Sequence, residues 1–462
     1  MEVKLFGAAK TVTGSCYSLT VESSRILVDC GMFQGGKKRE KLNYEPFGFN
    51  PRHYKALLLT HAHLDHCGRI PKLVKEGFKG KIYATAATKD LAFVVMMDSA
   101  NIAFYDAKYE NKKRIKNGLP QREPIYSEQD VKNAMKLFQI VNYGDEVIVT
   151  NNITAKYYDA GHILGSACIQ LFIKEKGKEK KVVFSGDLGQ SHTPIVRDPQ
   201  FIEDADYVFI ESTYGDRLHE SFKERTSGFL NIIKQTYKRG GKVLIPSFAI
   251  ERAQELLFDI NGFVENNKMP KMSVFLDSPM AIRATEVFRK HPEFYDSEVK
   301  AVLDKGDDPF NFEGLVYSKG VDQSKKINTL DGSCIIIAGS GMCTAGRIKH
   351  HIKNHIEDAR NTILFVGFQV HGTLGYWIKK GEKNIRLLGT EREVNAKVES
   401  MESFSAHGDF KELLKWLSGF KSKIKKVFVC HGDEDACDSF AEKVEKKGLK
   451  TKVPNMGESL TL

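Results

Sequence analysis

His61, His63, Asp65 and His66 fall within six residues, directly after the apolar run Tyr54 to Leu59. Imidazole and carboxylate groups hold divalent cations such as zinc and manganese. The alternate histidines can converge on one ion, while Asp65 and His66, one turn further round, can face a second position. Two ions about 3.5–4 Å apart can activate a water between them and polarise the bond under attack. Four residues cannot fill two such shells, so the spacing predicts further ligands downstream. Three candidates end apolar runs: His162 after Tyr157-Tyr158-Asp159-Ala160-Gly161, Asp187 after Lys181-Val182-Val183-Phe184-Ser185-Gly186, and His431 after Lys426-Val427-Phe428-Val429-Cys430. Each run delivers its ligand at the C-terminal tip of a strand, where side chains gather on one rim of a sheet. Histidine is scarce, 14 in 462 residues, so composition does not explain the cluster. The chemistry implied is metal-dependent hydrolysis.

The elements that must position these residues form two patterns. Over the first two hundred residues, short β-rich runs (Ser18 to Val21, Ile26 to Val28, Ile169 to Ile173) alternate with helical stretches (Thr88 to Asn101, Glu128 to Phe138). From about 216 the chain repeats strand, turn and helix: Lys242 to Pro246 then Ala249 to Asp259, Ser273 to Leu276 then Ala281 to Lys290, Ser333 to Ile337 then Ala345 to Ile356. That repetition predicts a parallel α/β sheet, which Thr362 to Val366 would join. The second pattern ends before His407. The expected organisation is a first domain in two parts, 1–215 and 400–462, interrupted by an insert over 216–399.

Composition fits a large globular chain, with 41% hydrophobic residues. No run of about 20 apolar residues is present. The N-terminus enters strand-like Val3-Lys4-Leu5-Phe6 without a signal-peptide pattern, so a cytoplasmic location is expected. The eight cysteines form no Cys-x-x-Cys pair and read as reduced structural thiols. A net charge of +10 favours a polyanionic partner. Basic runs occur at Lys37-Lys38-Arg39, Lys108 to Lys116, Lys174 to Lys181 and Lys421 to Lys426, the last two expected on exposed turns or linkers.

These motifs resemble the metallo-β-lactamase superfamily, with Asp29 in Ile26-Leu27-Val28-Asp29-Cys30-Gly31 as its first motif and His61 to His66 as its second. His162 and Asp187 resemble the third and fourth. The resemblance implies a four-layer αββα sandwich in which His61, His63, His162 and Asp187 hold one ion. Asp65, His66 and, again, Asp187 hold the other. Asp29 is then a group that orients the histidine loop through hydrogen bonds. Further segments resemble the β-CASP ribonucleases: Glu211 in Glu211-Ser212-Thr213-Tyr214-Gly215 as motif A, His407 in Ser403-Phe404-Ser405-Ala406-His407-Gly408-Asp409 as motif B, and His431 in Cys430-His431-Gly432-Asp433 as motif C. The segments Ile245 to Leu256, Leu276 to Ala281, Ala338 to Cys343 and Gly372 to Gly375 match between them. Within that family the chain resembles short bacterial and archaeal homologues of the cleavage and polyadenylation specificity factor endonuclease subunit.

The resemblance implies an αββα sandwich with an inserted parallel-sheet β-CASP domain acting as a lid over a cleft. It also implies two zinc ions per chain, with manganese able to substitute, and single-stranded RNA as substrate. Cleavage is expected mainly at internal phosphodiesters, with 5′–3′ exonuclease action as an added capacity. A hydroxide bridging the ions would attack phosphorus. His407, kept protonated by Glu211, would protonate the leaving oxygen. Alternatives are a DNA nuclease of the same fold, a catalytically silent RNA-binding scaffold, and a thioester or lactam hydrolase. A homodimer is also allowed for, since dimers are common in the family. In the insert, Ser340 and Gly341 in Gly339-Ser340-Gly341-Met342-Cys343 lie between a strand and a helix, where backbone N–H groups and Arg347 could hold a phosphate. Arg252, on the helix after Pro246-Ser247-Phe248, is a similar candidate. His350, His351 and His355 are read as helix residues rather than metal ligands, and His371 as an exposed loop residue.

Overall fold

A computed structural model describes residues 1–219 and 222–462, apart from the side chains of Lys37, Phe222 and Lys223. The chain divides into two compact units. One comprises Met1–Ser191, Arg197–Leu218 and His407–Leu462, and the other His192–Val196 and His219–Ala406. The short piece His192–Val196 joins the second unit through a bridge between Val196 and Tyr295.

The first unit is an αββα sandwich built on two seven-stranded sheets. One runs Ser459–Thr461, Glu2–Leu5, Tyr17–Val21, Ser24–Val28, Ala56–Leu58, Lys81–Ala84, Phe138–Ile140. The other runs Thr451–Lys452, Lys426–Val429, Tyr207–Ile210, Lys178–Phe184, Ala167–Glu175, Ile153–Asp159, Glu146–Thr150. Strand alternation explains how they pack: in Ile153–Asp159 the odd residues Ile153, Ala155 and Tyr157 are buried while the intervening residues are partly exposed. They join Leu5, Leu19, Val28 and Leu58 of the first sheet in one core. Phe184, Phe209 and Phe428 stack in series across three adjacent strands, with centroids 4.7 and 4.6 Å apart. Val183, Val208 and Val427, on the opposite face of the same strands, pack with Leu413, Trp416, Cys437 and Phe440 of helices Phe410–Leu417 and Glu434–Glu445.

The second unit contains a six-stranded parallel sheet, ordered Leu315–Tyr317, Ser273–Leu276, Cys334–Ala338, Val243–Pro246, Thr362–Phe365, Lys397–Ser400. Its inner strands are continuous apolar runs, as burial on both faces requires. The helices Arg252–Glu265, Pro279–Lys290 and Ile348–His355 follow the strands the sequence predicted. The edge strands Leu315–Tyr317 and Lys397–Ser400 and the hairpin Asn384–Leu387 with Thr390–Glu393 were not expected; each of these strands is only three or four residues long.

Helix Ala86–Lys116 spans 31 residues, far past the predicted end at Asn101, so Lys108 to Lys116 form its last turns. Lys174 to Lys181 lie on the hairpin between Ala167–Glu175 and Lys178–Phe184, as expected. The Lys37 side chain of the first basic run lies outside the described residues. All eight cysteines are buried and unpaired in disulfides. Among the described residues no helix is long and apolar enough to cross a membrane.

Candidate metal centre

Six strands of the first unit end beside one another and each is followed by a chemically active residue. Asp29 follows Ser24–Val28, the His61–His66 loop follows Ala56–Leu58, and His162 follows Ile153–Asp159. Asp187 follows Lys178–Phe184, Glu211 follows Tyr207–Ile210, and His431 follows Lys426–Val429. Asp29 and His431 turn sharply off their strands with φ of 59° and 47°, a conformation that L residues adopt at a cost of about 1–2 kcal/mol. Gly31 permits the histidine loop to close in: a Cβ there would lie 1.5 Å from the Asp65 carbonyl oxygen.

Two donor sets result. In the first, His63 Nδ1 lies 3.2 Å from His61 Nε2 and 3.1 Å from His162 Nε2. Asp187 Oδ2 lies 3.4 Å from His61 Nε2 and 3.6 Å from His162 Nε2. In the second, His66 Nε2 lies 3.1 Å from His431 Nε2 and 3.4 Å from Asp187 Oδ1, while Asp65 Oδ2 lies 3.5 Å from His431 Nε2. Asp187 thus presents one oxygen to each set.

The donor atoms fit metal ions on two counts. Ligands about 2.0–2.1 Å from a tetrahedral zinc stand about 3.3–3.4 Å apart, the spacing observed here. The second count is satisfaction. Asp187 is 1% exposed, yet its Oδ1 accepts no hydrogen bond. A buried carboxylate oxygen left so is costly, and a cation between the sets removes the cost. Burial drives His61 well below the usual imidazole range and His63 down to about 4, so both are neutral and able to donate a lone pair at neutral pH. Burial acts to raise Asp187, but His431, His66 and His61 outweigh it and hold the carboxyl well below the usual range.

Asp29 is 1% exposed and accepts three hydrogen bonds. Thr60 N donates to Oδ1 at 2.8 Å, Thr60 Oγ1 donates to Oδ2 at 2.8 Å, and His66 Nδ1 pairs with Oδ2 at 2.7 Å. That contact turns His66 Nε2 toward the second set. The sequence reading gave Thr60 no role; its position just before His61 was the available signal.

Glu211, also 1% exposed, faces His407 Nδ1 with both oxygens, at 3.1 and 3.2 Å. Leu188 N and Thr213 N hold the carboxylate. His407 Nδ1 lies 4.0 Å from Asp187 Oδ2, beside the first donor set. Burial works against a charge on His407, but Glu211 and Asp187 override it and raise the imidazole to about 9. This histidine is therefore a cation at neutral pH, with its Nε2 directed away from Glu211.

The insert residues named in the sequence make contacts of their own. Ser340 Oγ accepts from the backbone N–H groups of Thr344 and Ala345, at 3.1 and 3.2 Å, and so occupies donors that a phosphate would need. Gly341 is required by packing, since a Cβ would lie 2.8 Å from the Phe248 ring. Arg347 donates to Asp277 Oδ1 at 2.7 Å and to the carbonyls of Ser318 and Lys319. Arg252 is buried and pairs with Glu255 at 2.5 Å. Ser340, Arg347 and Arg252 thus have partners within the insert. His351 bonds Asp277 and Asn328, at 2.6 and 2.8 Å, in agreement with a structural role. His371 is exposed, as expected.

Comparison with known proteins agrees with this architecture. Residues 9–116 match the family model described as metallo-beta-lactamase superfamily, and 253–378 match the Beta-Casp domain. Residues 391–454 match the model described as a Zn-dependent metallo-hydrolase RNA specificity domain. The chain therefore belongs to the β-CASP family of metallo-β-lactamase-fold proteins. It is 37% identical over 460 residues to Ribonuclease TTHA0252 of Thermus thermophilus, spanning 100% of both chains. It is 32% identical to an RNase J-like protein of Methanocaldococcus jannaschii, covering 100% of this chain and 99% of that one. The Transcription termination factor FttA of Methanosarcina mazei is 32% identical over 97% of this chain and 69% of its own length. A crystal structure of a protein of unknown function from Enterococcus faecalis V583 shares the fold, with a TM-score of 0.55 at 13% identity over 100% of this chain and 99% of that one.

Proposed function

We propose that this protein is a metal-dependent ribonuclease that hydrolyses phosphodiester bonds of single-stranded RNA, mainly internally and with 5′–3′ exonuclease capacity, using two zinc ions per chain. The class, a metal-dependent nuclease acting on RNA, is supported by the domain matches and by relatives named as ribonucleases. The observation that carries the reading is Asp187, with one carboxylate oxygen on each of two donor sets and Oδ1 without a hydrogen bond.

His61, His63, His162 and Asp187 would hold one ion, and Asp65, His66, His431 and Asp187 the other. When bound, such a pair supplies water activation at neutral pH and neutralises charge on the phosphoryl oxygens. Asp29 keeps His66 oriented. Glu211 fixes the His407 ring and keeps it protonated, so that Nε2 is the donor for the departing ribose oxygen. This leaves a 3′-hydroxyl and a 5′-phosphate. Acid catalysis by a group charged at neutral pH favours a poor leaving group such as a ribose alkoxide. That favours a phosphodiesterase over a thioester hydrolase, whose thiolate leaves without a proton.

Matched RNA and DNA oligomers, labelled at the 5′ end or internally, test the proposal alongside Asp65→Ala and His407→Ala. Metal content by elemental mass spectrometry should give two zinc ions per chain. Fragments from RNA but not DNA, lost in both variants, are expected; equal cleavage by both variants, or of DNA alone, overturns it.

A further inference from the structure

The short helix Leu374–Lys379 of the insert packs inward through Gly375 and Ile378, and Leu374 joins Ile378 at the core of that unit. Tyr376 and Trp377 are absent from that core and remain partly exposed, and Lys380, just past the helix, is exposed. With His371 of the preceding loop they form one cluster. Ring centroids lie 4.8 Å apart for His371 and Tyr376, 5.6 Å for His371 and Trp377, and 5.1 Å for Tyr376 and Trp377. The ring planes cross at 58, 63 and 82°, so no two rings cover one another face to face, and flat surface remains for a further ring. Lys380 Nζ stands 5.7 Å from the Tyr376 centroid and 5.6 Å from that of Trp377.

The chain has two tryptophans, and the other one shows what a structural role looks like. Trp416 is 3% exposed, packs with Leu413 and Val427, and donates Nε1 to the Gln200 carbonyl at 2.9 Å. Trp377 has neither that burial nor, among the described residues, a hydrogen-bond partner for Nε1. The surroundings of the cluster select its occupant. Lys380 already stands in cation–π range of both rings, which disfavours a cationic ligand. Lys379 is tied to Glu402 at 2.8 Å, whereas Lys383 is exposed, and Glu382 is the one carboxylate between residues 371 and 383. Rings with free faces beside lysines suit a ligand that carries flat rings and negative charge together. Single-stranded RNA has both: its bases stack on aromatic side chains whatever their sequence, and its phosphates attract lysine.

We infer that His371, Tyr376, Trp377 and Lys380 form an RNA subsite of the insert, where an unpaired base stacks on Trp377 or Tyr376 and Lys380 meets a neighbouring phosphate. The assignment presupposes RNA as the substrate, as proposed above, and adds a site that uses no residue of the metal centre. His371 contributes by packing against both rings and fixing their angle. Duplex RNA is the poorer ligand, because its bases are already stacked on their neighbours. Stacking here holds substrate without touching the reacting phosphodiester, so the subsite acts on KM and leaves kcat alone.

Trp377 serves as its own reporter, since Trp416 is buried. Titrating the full-length His407→Ala variant, which consumes substrate slowly, with a short single-stranded oligoadenylate should quench tryptophan emission. An abasic oligomer of the same length should bind about tenfold or more weakly and leave the emission unchanged. With His407 intact, Trp377→Ala should raise KM for the oligoadenylate about ten- to a hundredfold at unchanged kcat, and Trp377→Phe should restore KM, a rescue that disturbance of the helix alone does not produce. Lys380→Gln should weaken binding and lower the slope of log affinity against log salt by about one. If the wild type cleaves RNA but KM does not change in Trp377→Ala, or duplex RNA quenches as well as single strands, this inference is overturned and the RNA reading stands. A wild type that neither binds nor cleaves RNA overturns both.

Discussion

The two units each bury a constellation of histidine and carboxylate, and the two are built on opposite terms. In the insert, Asp277 is fully buried and its oxygens accept from Arg347, Ser324 and His351. Elsewhere in the insert, buried Arg225 pairs with Glu255 and Asp259, at 3.1 and 3.3 Å. At the strand tips of the first unit, Asp187 is as deeply buried, but imidazole nitrogens surround it with no hydrogen bond to Oδ1. Burial of the same residue types thus produces a saturated network in one place and a set of converging lone pairs in the other. Residue type and burial do not distinguish a ligand site from a structural ion pair. Unsatisfied acceptors facing one another do.

Breaking the first constellation should have the largest consequence. Asp187→Ala removes the one group shared by both donor sets, and bound zinc should fall to background with RNA cleavage reduced on the order of a thousandfold. Retention of two ions per chain would show that Asp187 is another saturated carboxylate, and would erase the contrast with Asp277. His407→Ala sharpens it from the other side, because its ring is held by Glu211 beside the donors and is not one of them. Cleavage should fall by about a hundredfold to ten-thousandfold while zinc content stays unchanged. The raised pKa also fixes a sign. His407 carries its proton below about 9 and loses it above, so wild-type cleavage should decline as pH rises through that value. In Glu211→Gln the decline should move to lower pH, since the carboxylate that favours the imidazolium is gone. A profile that does not move on that substitution removes His407 from proton transfer.

Much of the metal centre was legible because histidine is rare and its ligands sit at the ends of apolar runs, which spacing alone reveals. The Glu211–His407 pair, 196 residues apart, came from family resemblance; no local pattern joins a glutamate after one strand to a histidine before a helix. The insert strands were readable from repetition. The contacts of its polar residues were not readable: the partner that engages Arg347 is 70 residues away, and the Ser340 hydroxyl takes nearby backbone donors. The long helix was cut short at Asn101 because its second half lacks a buried stripe, having mostly alanines to bury.

A smaller effect is expected one bond away from the donors. Asp29→Asn keeps the size of the side chain and its acceptance from Thr60, but loses the charge that fixes His66 Nδ1. Zinc affinity, titrated with a competing chelator, should weaken by about ten- to a hundredfold, and cleavage should recover in excess zinc. Unchanged affinity would mean that the ring is oriented by packing alone.

The smallest effect on the metal centre should come from the most disruptive change in the insert. Asp277→Ala leaves Arg347 and His351 without their shared carboxylate, and breaking such a buried pair costs about 3 kcal/mol or more. Burial acts to raise the Asp277 carboxyl, but His351, Ser324 and Arg347 prevail and hold it below its ordinary value. Its stabilising contribution is therefore complete above the ordinary carboxylate pKa and is lost as pH falls through the lowered one. Wild type and variant should accordingly differ in thermal stability at neutral pH and converge in acid. Zinc stoichiometry at a temperature where the variant stays folded should equal that of the wild type. If Asp277→Ala also strips the ions, the saturated network and the ligand site are coupled through more than their residue types, and the distinction between them fails.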